Sequence, residues 1–262
     1  MSSAIIKTVS FIGAGNVAMK LAPAMKARGI RVLEVANRDE KAGRLLALRC
    51  GAAFAPDPAT WRKDADLVII AVSDNAIEQV ASTFRTTALV VHTSGPVGMD
   101  VLRKASRRTG VLYPLQTFGK GRKILLSRIP FCIEAGNKAD TALLEDFAMR
   151  LSGKTARLDS DQRRVLHLTA VFVANFPNFL YSAAEELLAG TGIPFGLLRP
   201  IILQTAGNAM HSDIFSRQTG PAVREDHYIM DLHKELLKGH RDLLRVYDLL
   251  SKRIIQQKKK HG

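Results

Sequence analysis

The chain has 262 residues, 47% of them hydrophobic and 24% charged, which is enough for one large domain or two ordinary ones and excludes a disordered or fibrous chain. The formal net charge is +14, and before residue 159 there are 24 Lys and Arg against 13 Asp and Glu, or +11; such a surface attracts anions. A phosphorylated dinucleotide or an acidic substrate suits that charge better than nucleic acid, because the basic residues are scattered and aromatics make up only 6%.

In chain order, residues 5–12 read as a buried strand that runs into a glycine turn. This start has neither the basic head nor the small-residue exit of a cleavable signal. No apolar run reaches the roughly 20 residues of a membrane span, so a cytoplasmic protein is expected. Residues 16–28 form a helix with Val17, Leu21, Ala24 and Met25 on one face, closed by Gly29. A second strand over 31–36 and a helix over 40–49 complete a βαβ unit. The continuous apolar run 66–72 is a strand covered on both faces. A helix over 75–84, a strand over 88–91, a helix over 99–107 and a strand over 110–113 follow. Two short strands, 131–134 and 155–158, flank a helix over 139–151. After residue 158 the pattern is helical throughout: 162–188 with a kink at Pro177, 194–211, a helix begun by Pro221, and 231–255. The fold class is therefore α/β: an N-terminal Rossmann doubly wound parallel sheet over 1–158, then an all-α domain over 159–262. Two distant cysteines, Cys50 and Cys132, argue against a disulfide framework and a cysteine-built metal site, and no metal is expected.

Gly13-Ala14-Gly15-Asn16-Val17-Ala18 is a G-x-G-x-x-A motif between a strand and a helix. Its glycines allow the tight turn and the approach of a pyrophosphate, and the small Ala18 lets helix and strand pack. The second strand ends at Asn37-Arg38, where a site for NAD carries an acidic residue. An arginine there pairs with a 2′-phosphate, so the expected cofactor is NADP; the plainer alternative is a helix cap, Asn37 or Asp39, beside a surface Arg38. Only a register error of three would make Glu34 a ribose ligand and restore NAD. Val72, Ser73, Asp74, Thr93 and Ser94 end the next strands at the same rim. Ser73 and Asp74 serve either the cofactor or a helix cap, and Thr93 and Ser94 lie towards the nicotinamide. His92 is either a buried, hydrogen-bonded histidine or a catalytic one, and Gln116 is either a substrate contact or a turn residue.

These residues carry a resemblance. Gly13–Ala18, Ala36-Asn37-Arg38 and the segment 71–77 resemble the cofactor half of the pyrroline-5-carboxylate reductase superfamily. His92–Gly95, Tyr113–Phe118, the helix 168–188 and the segment 219–227 resemble a narrower group, Rossmann-like proteins with a helical C-terminal domain of unknown function, labelled NADP oxidoreductases. The likeness spans nearly the whole chain. It implies NADP binding and a helical half like that of the 6-phosphogluconate and β-hydroxyacid dehydrogenases, with homodimerisation through that half. Many such relatives use a Lys-x-x-x-Asn pair on the long helix, with the lysine as acid–base. Asn175 matches the asparagine, but Val171 holds the lysine position and cannot transfer a proton. His167, one turn earlier on the same face, is the candidate substitute, alternatively a plain packed histidine. Thr219-Gly220-Pro221-Ala222 loosely resembles a substrate loop, with Arg224 and Asp226 after it as anion ligands or surface residues. The expected function is an NADP-dependent oxidoreductase acting on a small, anionic metabolite between the two domains. The catalytic candidates are Ser94, His167 and Asn175, and the alternative is a non-catalytic NADP-binding sensor.

Overall fold

The computed structural model describes residues 5–61, 65–119 and 125–261. The chain falls into two compact units, Met1–Asn175 and Phe176–Gly262. In the first unit one sheet contains β1 (Thr8–Ile12), β2 (Arg31–Ala36), β3 (Ala53–Phe54), β4 (Leu67–Ile70), β5 (Leu89–His92), β6 (Thr109–Pro114), β7 (Phe131–Ala135) and β8 (Thr155–Arg157), in the spatial order β3-β2-β1-β4-β5-β6-β7-β8. The strands β1 to β6 are parallel.

One expectation is corrected at the far edge. β7 lies antiparallel to β6, with Tyr113 opposite Cys132, and β8 runs parallel to β7. A parallel neighbour needs a crossover element, and the described part of the 115–130 connection contains only a 3₁₀ turn, Leu126–Arg128.

Strand alternation sends side chains to two cores. Phe11, Ile69 and Val91 join one cluster with Leu21, Met25, Leu46 and Phe147, residues of α1 (Ala18–Lys26), α2 (Glu40–Cys50) and α4 (Lys138–Ser152), where α3 is Ile77–Ser82. Ile12, Ile70 and Val90 join a second cluster with Trp61, Ile77, Phe84 and Leu102 on the opposite face. Each large apolar side chain buried this way contributes about 1.5–3 kcal/mol, and the doubly covered sheet fixes the strand ends that frame the crevice described below. The helix expected over 99–107 is instead a 3₁₀ run, Met99–Lys104.

The sheet unit also includes α5 (Ser160–Ala170) and a π-helical turn, Val171–Asn175. Asp159 caps α5 through a reciprocal box with Gln162. The compact unit thus extends past the last strand, to Asn175. The long helix expected over 162–188 is interrupted by this turn before α6 (Phe176–Leu188) begins. Pro177 lacks an N–H to offer the carbonyl four residues earlier, and the wider turn absorbs the mismatch.

The second unit comprises α6, α7 (Arg199–Asn208), α8 (Pro221–Arg224), α9 (His227–Leu236) and α10 (Arg241–His261). The single helix expected over 231–255 is two helices, broken at Leu237–His240, where Gly239 weakens helix continuation. His233 Nδ1 lies 3.0 Å from Tyr247 Oη and ties α9 to α10. Among the described residues no helix is long and apolar enough to cross a membrane.

Candidate active site

β1 and β4 are neighbours, yet the chain leaves β1 towards β2 and comes back to β4 on the other side. At such a switch point the carboxyl ends of the strands part and leave a crevice. A cavity of about 920 Å³ occupies it, lined by residues 12–17, by Asn37 and Arg38 after β2, by Val72 and Ser73 after β4 and by Thr93 after β5.

The two motif glycines do different things. Gly13 has φ +105°, and a Cβ added there would lie 2.3 Å from the Ala71 carbonyl oxygen. Its N–H donates to the Ala36 carbonyl at 2.8 Å, so the protein's own backbone demands glycine. Gly15 is exposed, and a Cβ there would have no neighbour nearer than 3.9 Å; its bareness keeps the cavity wall open. The N–H groups of Gly15, Asn16 and Val17 have no partner among the described residues. α1 starts immediately after them with no side-chain cap and no acid in its first turn. Free amides at the positive end of a helix dipole make an anion site. Ala18 is fully buried and does not line the cavity; its small size lets α1 close on the sheet.

Asn37 anchors the turn: its Oδ1 accepts the Ala14 N–H at 3.0 Å and its Nδ2 donates to the Asp39 carbonyl at 2.7 Å. The cap of α2 is Asp39, whose carboxylate accepts the Ala42 N–H at 3.2 Å. Arg38 is exposed on the cavity wall, with no hydrogen bond or ion pair among the described residues. Glu34 is buried within β2, two residues short of its end, so the register that would restore a ribose carboxylate is not present. A free guanidinium, open amides and a bare Gly15 fit a dinucleotide bearing a 2′-phosphate.

The other rim residues divide. Val72, Ser73 and Thr93 line the cavity, whereas Asp74 and Ser94 do not. Ser73 donates to Asn75 Oδ1 at 2.8 Å. Pro56, Pro58, Gln79 and Thr83 also line the cavity and were not singled out from the sequence; the i, i+4 spacing of Gln79 and Thr83 was the available signal. His92 is fully buried. Its Nδ1 accepts the Ser94 N–H at 3.2 Å and its Nε2 faces the Gly98 carbonyl at 3.4 Å. Burial and the Arg163 charge lower its pKa to about 4, so it is a neutral histidine that shapes the turn. Ser94 Oγ accepts the Val97 N–H at 3.2 Å. Gln116 holds a local turn through the Thr117 N–H at 2.8 Å.

Beyond that rim stands a second group. His167 on α5 is half-buried, with Nδ1 3.2 Å from Tyr113 Oη at the end of β6. The ring packs directly on Gly95, where an added Cβ would sit 2.6 Å from Nδ1. α5 is clamped there by Arg163, 1% exposed, which pairs with Glu134 on β7 and donates to the Val97 carbonyl. Ser160 donates to the same carboxylate at 3.0 Å. Sequence reasoning missed Arg163, and it named Tyr113 within a motif but not as the partner of His167. Asn175 is exposed in the π turn and Val171 is half-buried. In the second unit, Pro221 starts α8, Asp226 caps α9 through the Ile229 N–H at 3.2 Å, and Arg224 is exposed.

The sheet order, the open helix N-terminus and the basic crevice wall define a Rossmann-type dinucleotide-binding oxidoreductase fold with a helical C-terminal unit. Residues 8–95 match the model of the NADP oxidoreductase, coenzyme F420-dependent family, and residues 129–254 match that of a domain of unknown function, DUF2520. A crystal structure from Bacteroides fragilis, provisionally named an NADP oxidoreductase, is 36% identical, covers 96% of this chain and 98% of its own, and superposes with a TM-score of 0.87. The chain belongs to this family, in which an NADP oxidoreductase domain is joined to a DUF2520 domain. An imine reductase from Myxococcus stipitatus in complex with NADP+ shares the fold at 17% identity (TM-score 0.67, covering 97% of this chain and 95% of its own). So does a 1-pyrroline-5-carboxylate reductase from Streptococcus pyogenes at 12% (TM-score 0.61, 95% and 98%). No curated protein matches the chain.

Proposed function

We propose that this protein transfers hydride between NADP and a small, anionic metabolite, working as a cytoplasmic homodimer. The observation that carries the reading is the crevice, where free amides at the start of α1 and the unpaired Arg38 face one cavity. The amides of Gly15, Asn16 and Val17 hold the pyrophosphate, Arg38 takes the 2′-phosphate, and Thr93 lies towards the nicotinamide end. When bound, the nicotinamide supplies or accepts the hydride. Among this chain's own groups, His167 exchanges the accompanying proton, and Ser94 and Asn175 orient the substrate. The excess of +11 charges before residue 159 favours an anionic substrate.

The dimer rests on the second unit's apolar surface. Phe176, Phe179, Leu187, Ile201, Leu203 and Leu236 are exposed, Leu203 to 72% and Leu236 to 79%, apolar surface that a second copy would cover. Light scattering should give twice the 28.7 kDa chain mass; a monomer mass contradicts it. Two free, buried cysteines suit a reducing compartment.

Val171 favours a second reading, a sensor that binds NADP without turnover. A screen of imines, keto acids and hydroxy acids for NADP(H)-linked turnover separates the two. The enzyme reading expects turnover that disappears in Gly15→Asp. Intact NADPH binding with no turnover on any class supports the sensor.

A further inference from the structure

The acid–base group named above needs an orientation, and three observations bear on it. Tyr113 Oη is 3.2 Å from Nδ1 of His167, 54 residues away in sequence. The two rings meet edge-on, with centroids 6.1 Å apart and planes at 66°. Gly95 provides the slot: a Cβ there would collide with Nδ1, Cγ and Cβ of His167 at 2.6–2.9 Å. The imidazole is thus held between a hydroxyl and a bare stretch of backbone, two residues beyond Thr93 of the cavity wall.

We infer that Tyr113 is a positioning residue for His167: its hydroxyl holds Nδ1 and leaves Nε2 as the nitrogen that exchanges a proton with substrate. This rests on the oxidoreductase reading for its purpose, though not for its test. A phenol suits the task because its oxygen accepts from the Nδ1–H. It does so in the imidazolium and in the neutral ring left once Nε2 has released its proton. His167 therefore keeps its partner, and a single neutral tautomer, in both states. When the imidazolium releases the Nε2 proton, the substrate gains one proton and the ring stays bonded to Tyr113 through Nδ1–H. Burial, with Cys132 and Asp74 nearby, pushes the Tyr113 pKa up against the opposing Arg163 charge, so the phenol keeps its own proton.

The test is a long-range 1H–15N correlation spectrum of histidine-labelled protein, assigned among the seven histidines by His167→Gln. It is recorded at low and at high pH, without substrate. Tyr113→Phe should shift the Nδ1 resonance away from its hydrogen-bonded position in both protonation states and leave Nε2 nearly unmoved. Gly95→Ala, which ejects the ring from its slot, should reproduce that Nδ1 shift with the hydroxyl still present. An unchanged Nδ1 in Tyr113→Phe, or a change confined to Nε2, overturns the inference. If the Nδ1 shift is found but no substrate class turns over, the pairing stands and the oxidoreductase reading fails instead.

Discussion

Gly13 and Gly15 are two residues apart in one motif, yet the structure assigns them separable costs. Gly13→Ala puts a side chain at φ +105° and a methyl 2.3 Å from a backbone carbonyl. The backbone conformation costs about 1–3 kcal/mol, and forcing the Ala71 carbonyl aside costs about 1–3 more, so a total near 3 kcal/mol is expected. For a chain of this size that lowers Tm by roughly 6–12 °C. Gly15→Ala meets nothing within 3.9 Å and lies outside the left-handed region, so its stability should stay within about 0.5 kcal/mol of wild type. Its methyl does occupy the wall that a pyrophosphate must approach, and NADPH affinity should fall at least about tenfold, or 1.4 kcal/mol. Thermal unfolding and titration of both variants test this together. A Gly13→Ala protein as stable as wild type, or a Gly15→Ala protein with unchanged NADPH affinity, refutes the reasoning.

Arg38→Ala should weaken NADPH binding by about 1.5–3 kcal/mol, the scale of a charge-assisted hydrogen bond, and leave NADH binding nearly unchanged; equal losses contradict the 2′-phosphate role. His92 should make the fold acid-sensitive. Its folded pKa of about 4 lies below the ordinary histidine value of 6.5, so the unfolded state binds the proton first. Stability is full above pH 6.5 and falls towards pH 4 by roughly 3 kcal/mol. Denaturant melts across that window should flatten in His92→Asn, and an unchanged slope counts against it. Arg163→Met strands the Glu134 carboxylate and should cost about 3–5 kcal/mol in chemical unfolding; a loss under 1 kcal/mol means the pair is dispensable.

The first βαβ unit was legible because each local signal agreed: an apolar strand, a glycine turn, then a helix with an apolar stripe. The antiparallel β7 was not, since hydrophobic patterning shows that Phe131–Ala135 is a strand but carries no direction. The π turn was half-visible, because Pro177 announced an interruption without its form. The cofactor crevice could be read from neighbouring residues, except for the wall from Pro56, Pro58, Gln79 and Thr83. Tyr113 and His167 meet only through tertiary packing, and nothing at either position signals the other. Arg163 was hidden for a different reason: a charged residue on an amphipathic helix reads as solvated unless its buried partner, here Glu134 on β7, is known.

Calorimetric titration of the purified protein with NADPH and NADH, side by side, tests the central claim most directly. Micromolar NADPH binding with much weaker NADH binding is the predicted result. Binding of neither, or equal binding of both, contradicts it: the first would make the glycine turn purely structural, and the second would deny Arg38 its phosphate.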